Sequence, residues 1–234
     1  MDSSGKRRLL LWDIDGTIIS SGHAGEAALV TALKKLYGLD LDLSKIDYMG
    51  RTDVKLSYYI FQHYGLEITP AKIEEFVRAY LAGLEEELPK RQGRVLPGIS
   101  EILERASKDS RYVLALLTGN QRRGAELKLV AYGAWHYFPF GAFADDSMER
   151  DELGPYALHR AAEYCGEEIP PSRAFVIGDT PHDIRCGKII SAQTIAVATG
   201  GFTTEALAAH HPSALFRDFS DVEDFFTTID RLAV

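Results

Sequence analysis

The sequence predicts a doubly wound α/β fold: a Rossmann-like parallel sheet sandwiched by helices, with an all-helical segment inserted after the first strand. Apolar runs that stop abruptly at polar or glycine residues read as strands buried on both faces. Helical patterns lie between them, the alternation of βαβ units. Residues 20–91, by contrast, carry amphipathic helix patterns with no strand signal among them.

The first strand is RLLLWDID (8–15), in which the apolar stretch runs straight into Asp13 and Asp15. GEAALVTALKKLYG (25–38), DVKLSYYIFQHYG (53–65) and TPAKIEEFVRAYLAGLEEELPK (69–90) follow as helices set apart by glycines. Thr69 and Pro70 read as an N-cap followed by proline at the first helical position. The aromatics of YYIFQHY (58–64) are expected in the core of this helical segment, and QGRVLPG (92–98) reads as the return linker. The expected division is therefore a core of residues 1–19 and 92–234 and a helical cap of residues 20–91. Within the core, the helix GISEILERASK (98–108) leads to the strand YVLALLTGN (112–120) and the helix RRGAELKLVAYG (122–133), which closes on Gly133. The helix GPYALHRAAEYCG (154–166) precedes the strands AFVIGDT (174–180) and QTIAVATGG (193–201). No internal repeat or low-complexity tract interrupts the chain.

At 234 residues, 46% hydrophobic and 26% charged, the chain can bury a substantial core and has the composition of an ordinary globular protein. Its net charge of −8 argues against a nucleic acid or an anionic membrane as the main partner. A small anionic substrate stays open, because a local cation overrides the global sign. Cys165 and Cys186 form neither a disulfide framework nor a metal-ligand spacing and are expected as buried, reduced thiols. The basic start MDSSGKRR precedes an apolar run of only four residues, too short for a signal or a membrane span. A cytoplasmic location is expected, with the chain a monomer or weak homodimer.

Ligands of doubly wound folds bind at the carboxyl ends of the strands. There this sequence sets Asp13, Asp15, Gly16 and Thr17 after one strand, Thr118, Gly119 and Asn120 after a second, and Asp179 and Asp183 after a third. Gathered carboxylates repel one another, and a bound cation relieves the repulsion. Oxygen donors without His or Cys favour a hard ion such as Mg²⁺. His182, His210 and His211 are read as satisfied or solvated side chains, since oxygen ligands suffice. A carboxylate held beside a metal, a hydroxyl and free backbone N–H groups suit phosphoryl chemistry: one acid attacks phosphorus, and the other moves protons.

In order and spacing, DIDGT (13–17), LLTGN (116–120) and VIGDTPHD (176–183) resemble the first, second and fourth motifs of the haloacid dehalogenase superfamily. LPGISEILERAS (96–107) resembles that family's helix entering the core. GRTDVKL (50–56) resembles a turn in the helical caps of its phosphoglycolate phosphatase and β-phosphoglucomutase branch. The resemblance implies Asp13 as nucleophile and metal ligand, and Asp15 as acid/base whose main chain also reaches the metal. It implies Thr118 as a phosphate-binding hydroxyl supported by Gly119 and Asn120, Asp179 as a metal ligand, and Asp183 at the metal site's edge. Gly16 and Thr17 fall on the phosphate side. Arg51 is either a substrate-facing cation or a helix-capping charge.

The chain departs from the family at the third motif, where a lysine is usual. MERDELGPYALHRA (148–161) holds Pro155 in register but Glu152 in the lysine's place. Arg150 is the nearest cation and the expected substitute, with Lys128 and Lys188 as further candidates. An arginine supplies a bidentate fork where a lysine supplies a point charge.

Asp15 separates the family's reactions, because dehalogenases have no alkoxide to protonate and typically lack it. A phosphonatase needs a cap lysine for an imine, and the 50–56 turn offers only Lys55. The expectation is a phosphatase acting on a small-molecule phosphate ester. A phosphomutase of the β-phosphoglucomutase type and a catalytically degenerate phosphate-binding relative are the alternatives.

Overall fold

The computed structural model describes residues 7–233; the start MDSSGK and Val234 lie outside them. The chain enters through β1 (Arg8–Trp12), turns through the acid-bearing loop and forms β2 (Ile19–Ser20). Three helices follow, α1 (Ala24–Tyr37), α2 (Asp53–His63) and α3 (Pro70–Glu87), before the chain returns through β3 (Arg94–Val95). Then come α4 (Ile99–Lys108), β4 (Tyr112–Leu117), α5 (Arg122–Ala131), β5 (Gly141–Ala142), α6 (Leu153–Cys165) and β6 (Ala174–Gly178). The chain ends with α7 (Pro181–Ile189), β7 (Gln193–Val197), α8 (Thr204–Ala208), β8 (Ala214–Phe216) and α9 (Val222–Leu232).

Six strands make one sheet in the order β5-β4-β1-β6-β7-β8, and every neighbouring pair is parallel. This is the expected doubly wound sheet, with β1 between β4 and β6. Alternation along β1 sends Leu10 and Trp12 to one face and Leu9 and Leu11 to the other. On the first face they meet α4, α5 and α9, and Trp12 lies 5.7 Å from the stacked ring of Phe225. On the second face they meet α6 and α7. With both faces covered, the strands need no polar side, which is why they read as continuous apolar runs.

The helices α1, α2 and α3 share a separate apolar core. Phe61, from the aromatic stretch of α2, packs edge-on against Tyr37 and Phe76 there. At the neck of this insert β2 pairs antiparallel with β3, so the return linker contains a short strand. The strands β5 and β8, two and three residues long, were beyond the sequence expectation, as were α8 and α9. Cys186 is buried as expected, whereas Cys165, at the end of α6, is only half-buried. Among the described residues no helix is long and apolar enough to cross a membrane.

Candidate active site

The carboxyl ends of β1, β4 and β6 face the helical insert across a chamber of about 460 Å³. Asp13, Asp15, Gly119, Asn120, Arg150 and Asp179 all line it. Residues remote in the chain thus converge because their strands are neighbours in the sheet.

After β1 the chain makes a tight turn, with the Ile18 and Ile19 amides donating to the Ile14 carbonyl. Gly16 stands at the crest with φ +77°. A Cβ there would lie 2.4 Å from Asp179 Oδ2, so both the backbone and the approach of Asp179 require glycine. Thr17 is fully buried, and its hydroxyl donates to Asp179 Oδ1 at 3.3 Å.

Asp13 is buried beside Asp179 and Asp183, with carboxylate oxygens of the three within 4.8 Å of one another. Burial pushes the Asp13 carboxyl up to about 6, the Asp183 and Asp15 charges adding to it and Arg150 opposing. Asp179 is pushed well above the usual carboxylate range, first by burial and then by Asp13 and Asp183. Carboxylates so disposed fit a hard dication: the donors are all oxygen, and water is too scarce there to stabilise their charge. Asp13 and Asp179 would hold such an ion. Asp183 adjoins it but is already engaged, because its Oδ2 accepts from the Thr180 amide and hydroxyl at 3.0 and 2.7 Å, capping α7.

Arg150, the cation expected to substitute for the third-motif lysine, meets the acid cluster. It opens the short turn before α6 and is buried; its Nη2 lies 3.0 Å from Asp13 Oδ1 and also bonds Asp183. Of the other candidates, Lys128 meets Asp15 rather than Asp13, and Lys188 lies elsewhere. Lys188 donates to the His210 carbonyl on the surface, and Glu152 accepts from the Ser147 hydroxyl.

Thr118 is fully buried and accepts 2.8 Å from Asn120 Nδ2 and 3.3 Å from the Asn120 amide. Two donors aimed at this oxygen leave its own O–H free for an anion. Gly119 permits a close approach: a Cβ would lie 2.4 Å from the Arg51 carbonyl and 2.8 Å from Arg150 Nη1.

Asp15 does not join the three-acid cluster. Its Oδ2 accepts from Asn120 Nδ2 at 3.0 Å and from Lys128 Nζ at 2.6 Å. Lys128 is buried on α5, also donates to Asn120 Oδ1 at 2.7 Å, and is the partner that sequence reasoning missed. A signal for it exists, since Lys128 falls on the same buried stripe as Gly124, Ala125 and Leu129. A lysine in an apolar stripe needs an acid nearby. Burial works against its charge, but Asp15, Tyr80 and Asp53 hold the ammonium above its usual range.

The insert reaches the site through residues 50–55. Arg51 is half-buried, lies over the Tyr59 ring and donates to Asp47 Oδ2 at 2.5 Å, while its Nε is buried without a partner. Thr52 caps α2, and its hydroxyl donates to the Met148 carbonyl at 2.6 Å. Asp53 bonds the core twice: its amide donates to the Gly119 carbonyl at 2.8 Å, and its Oδ2 accepts from the Gln121 amide at 2.7 Å.

The fold is of the doubly wound α/β class, and the candidate site lies at the carboxyl ends of its strands. The chain belongs to the haloacid dehalogenase-like hydrolase family, whose model matches residues 10–197. It is 29% identical over 218 residues to the probable phosphatase IndB of Dickeya dadantii, covering 92% of this chain and 91% of that one. It is 25% identical over 224 residues to a phosphoglycolate phosphatase of Pseudomonas savastanoi, covering 90% and 76% of the two. Among solved structures, a hydrolase from Pseudomonas syringae shares the fold with a TM-score of 0.76 at 21% identity, over 94% of this chain and 98% of that one.

Proposed function

We propose that this chain is a Mg²⁺-dependent phosphatase that hydrolyses a small-molecule phosphomonoester through an aspartyl-phosphate on Asp13. The observation that carries the reading is the meeting, in one chamber, of the buried Asp13, Asp179 and Arg150, with Asp15 held apart from the acid cluster. The names of the relatives, phosphatases in the main, agree with it.

Arg150 fixes the Asp13 carboxylate and offers its remaining N–H groups to a phosphoryl oxygen. Thr118 donates its hydroxyl to another oxygen, and Gly119, which lines the chamber, adds its amide. Asp13 then forms an oxygen–phosphorus bond as the ester's P–O bond breaks, and the leaving oxygen takes a proton from Asp15. In the second half Asp15 takes a proton from water as the water oxygen bonds phosphorus and the Asp13–phosphorus bond breaks. When bound between Asp13 and Asp179, Mg²⁺ would neutralise charge on the nucleophile and on the phosphoryl group. The helical insert walls one side of the chamber, which favours a small soluble ester over a phosphoprotein.

The test is release of p-nitrophenol from p-nitrophenyl phosphate with Mg²⁺ or with EDTA. Magnesium-dependent release that vanishes in Asp13→Asn supports the proposal. No release from this or any of a broad panel of metabolite phosphates overturns it.

A further inference from the structure

Lys128 is a buried cation without a part in the chemistry above. Its position on α5 belongs to a stripe that Ala125 and Leu129 fill with apolar side chains, so packing alone would be served by a leucine. Enclosing an ammonium is costly unless partners compensate it. Here the compensation is specific. Lys128 Nζ donates to Asp15 Oδ2 at 2.6 Å and to Asn120 Oδ1 at 2.7 Å, while Asn120 Nδ2 donates to the same Asp15 oxygen at 3.0 Å. The three side chains close a ring, and Asn120 extends it to Thr118 Oγ1.

We propose that Lys128 is the positioning residue of Asp15: it anchors Oδ2, so that Oδ1 is the oxygen that hands a proton to the leaving group and later takes one from water. The assignment rests on the phosphatase reading and adds to it a division of labour between two cations. Arg150 serves the nucleophile, and Lys128 serves the acid/base. A carboxylate's terminal torsion is broad and close to two-fold, so an Asp15 without its anchors would turn between the chamber and Asn120. A misplacement of about 1 Å in a reacting group is enough to cost on the order of 10²-fold in rate. The proton balance leaves Lys128 unchanged. Asp15 Oδ1 loses its proton as the alkoxide departs and regains one from the attacking water, while the ammonium keeps all its protons.

A residue that acts through the acid has a signature that a residue holding the phosphate or the fold lacks. Departure of p-nitrophenolate needs no proton, whereas departure of an alkoxide does. The experiment measures kcat/KM with Mg²⁺ for p-nitrophenyl phosphate and for the alkyl phosphate that the wild-type enzyme cleaves fastest in a panel. Wild type, Lys128→Met and Lys128→Arg are compared. Lys128→Met is expected to lose about 10²-fold on the alkyl ester and less than about threefold on the aryl ester. Lys128→Arg keeps the charge but spreads it over a planar fork, and is expected to shift the ratio less, in the same direction. Because both substrates are assayed on one preparation, the aryl-to-alkyl ratio is independent of how much of the variant is folded. Equal losses on the two esters would assign Lys128 to phosphate binding or to the fold and overturn the proposal, as would an unchanged ratio. If wild type cleaves neither ester, the phosphatase reading itself falls and takes this assignment with it.

Discussion

Arg150 bonds Asp13 and Asp183 together, and all three side chains are buried. Removing one member of such a group strands the others without water, so Arg150→Met is expected to cost about 3–5 kcal/mol of stability in urea unfolding. In the proposed mechanism its phosphatase rate should also fall by at least about 10²-fold, because the proposed donor to the reacting phosphoryl group goes with it. Arg150→Lys keeps the charge but reaches one acid at a time, and it should lie between wild type and Arg150→Met in both measurements. The register with Pro155 pointed to Glu152, and this arginine was reached in the sequence only as the nearest cation, two residues earlier. Asp183 was legible as an acid at the edge of an expected metal site or as a helix-start charge; that it caps α7 through Thr180 depends on the helix start, which a sequence places only to within a residue or two. Lys128 stood among the candidates for the wrong partner. Its helix position was readable, but which acid faced it was decided by how α5 lies against the loop after β1.

The start of α2 fastens the insert to the core. Asp53 bonds the loop after β4 through both its amide and its carboxylate, and Lys55 pairs with Glu149 at 2.5 Å in the loop before α6. The Asp53 carboxyl is pushed up to about 6, chiefly by burial, with Lys128 and the Gln121 amide opposing. Because the folded value lies above the unfolded one, near 3.8, the folded chain holds this proton more tightly than the unfolded chain. The stability so gained is complete below the unfolded value and is lost as the pH rises through about 6. Asp53→Asn cannot titrate, so wild-type stability minus that of Asp53→Asn should fall between pH 4 and about 6 and level off above. Urea midpoints across that range check it, and a flat difference refutes the enclosed carboxylate. The main strands were legible because double burial makes them continuous apolar runs; β5 and β8 were not, because two or three residues carry no period. The helix α9 has a readable spacing in Val222, Phe225, Phe226 and Ile229, and pattern reasoning of the kind used for the insert would find it.

The sheet brings acids from opposite ends of the sequence together, and the molecule needs a counter-charge for the result. Asp13, Asp179 and Asp183 face a single guanidinium, which leaves a formal surplus of two negative charges, the amount a divalent cation cancels. Asp13 and Asp179 are both pushed up by burial, so without such an ion the folded chain binds protons there that the unfolded chain releases. In EDTA, stability should therefore decline as the pH rises through about 6, the value to which Asp13 is moved. A dication competes with those protons and binds the folded state alone, so Mg²⁺ should oppose the decline and have its largest effect above that pH. At 100 times its dissociation constant the ion adds about 2.7 kcal/mol, which for a chain of this length raises Tm by roughly 5–10 °C. Melting curves at pH 5 and pH 8, each with EDTA and with Mg²⁺, read the effect directly. Asp179→Asn removes one of the two acids that would hold the ion and one of the charges it cancels. That variant should melt higher than wild type in EDTA at pH 8 and gain little from Mg²⁺. A Mg²⁺ response equal in the two proteins would place the ion away from the ends of β1 and β6.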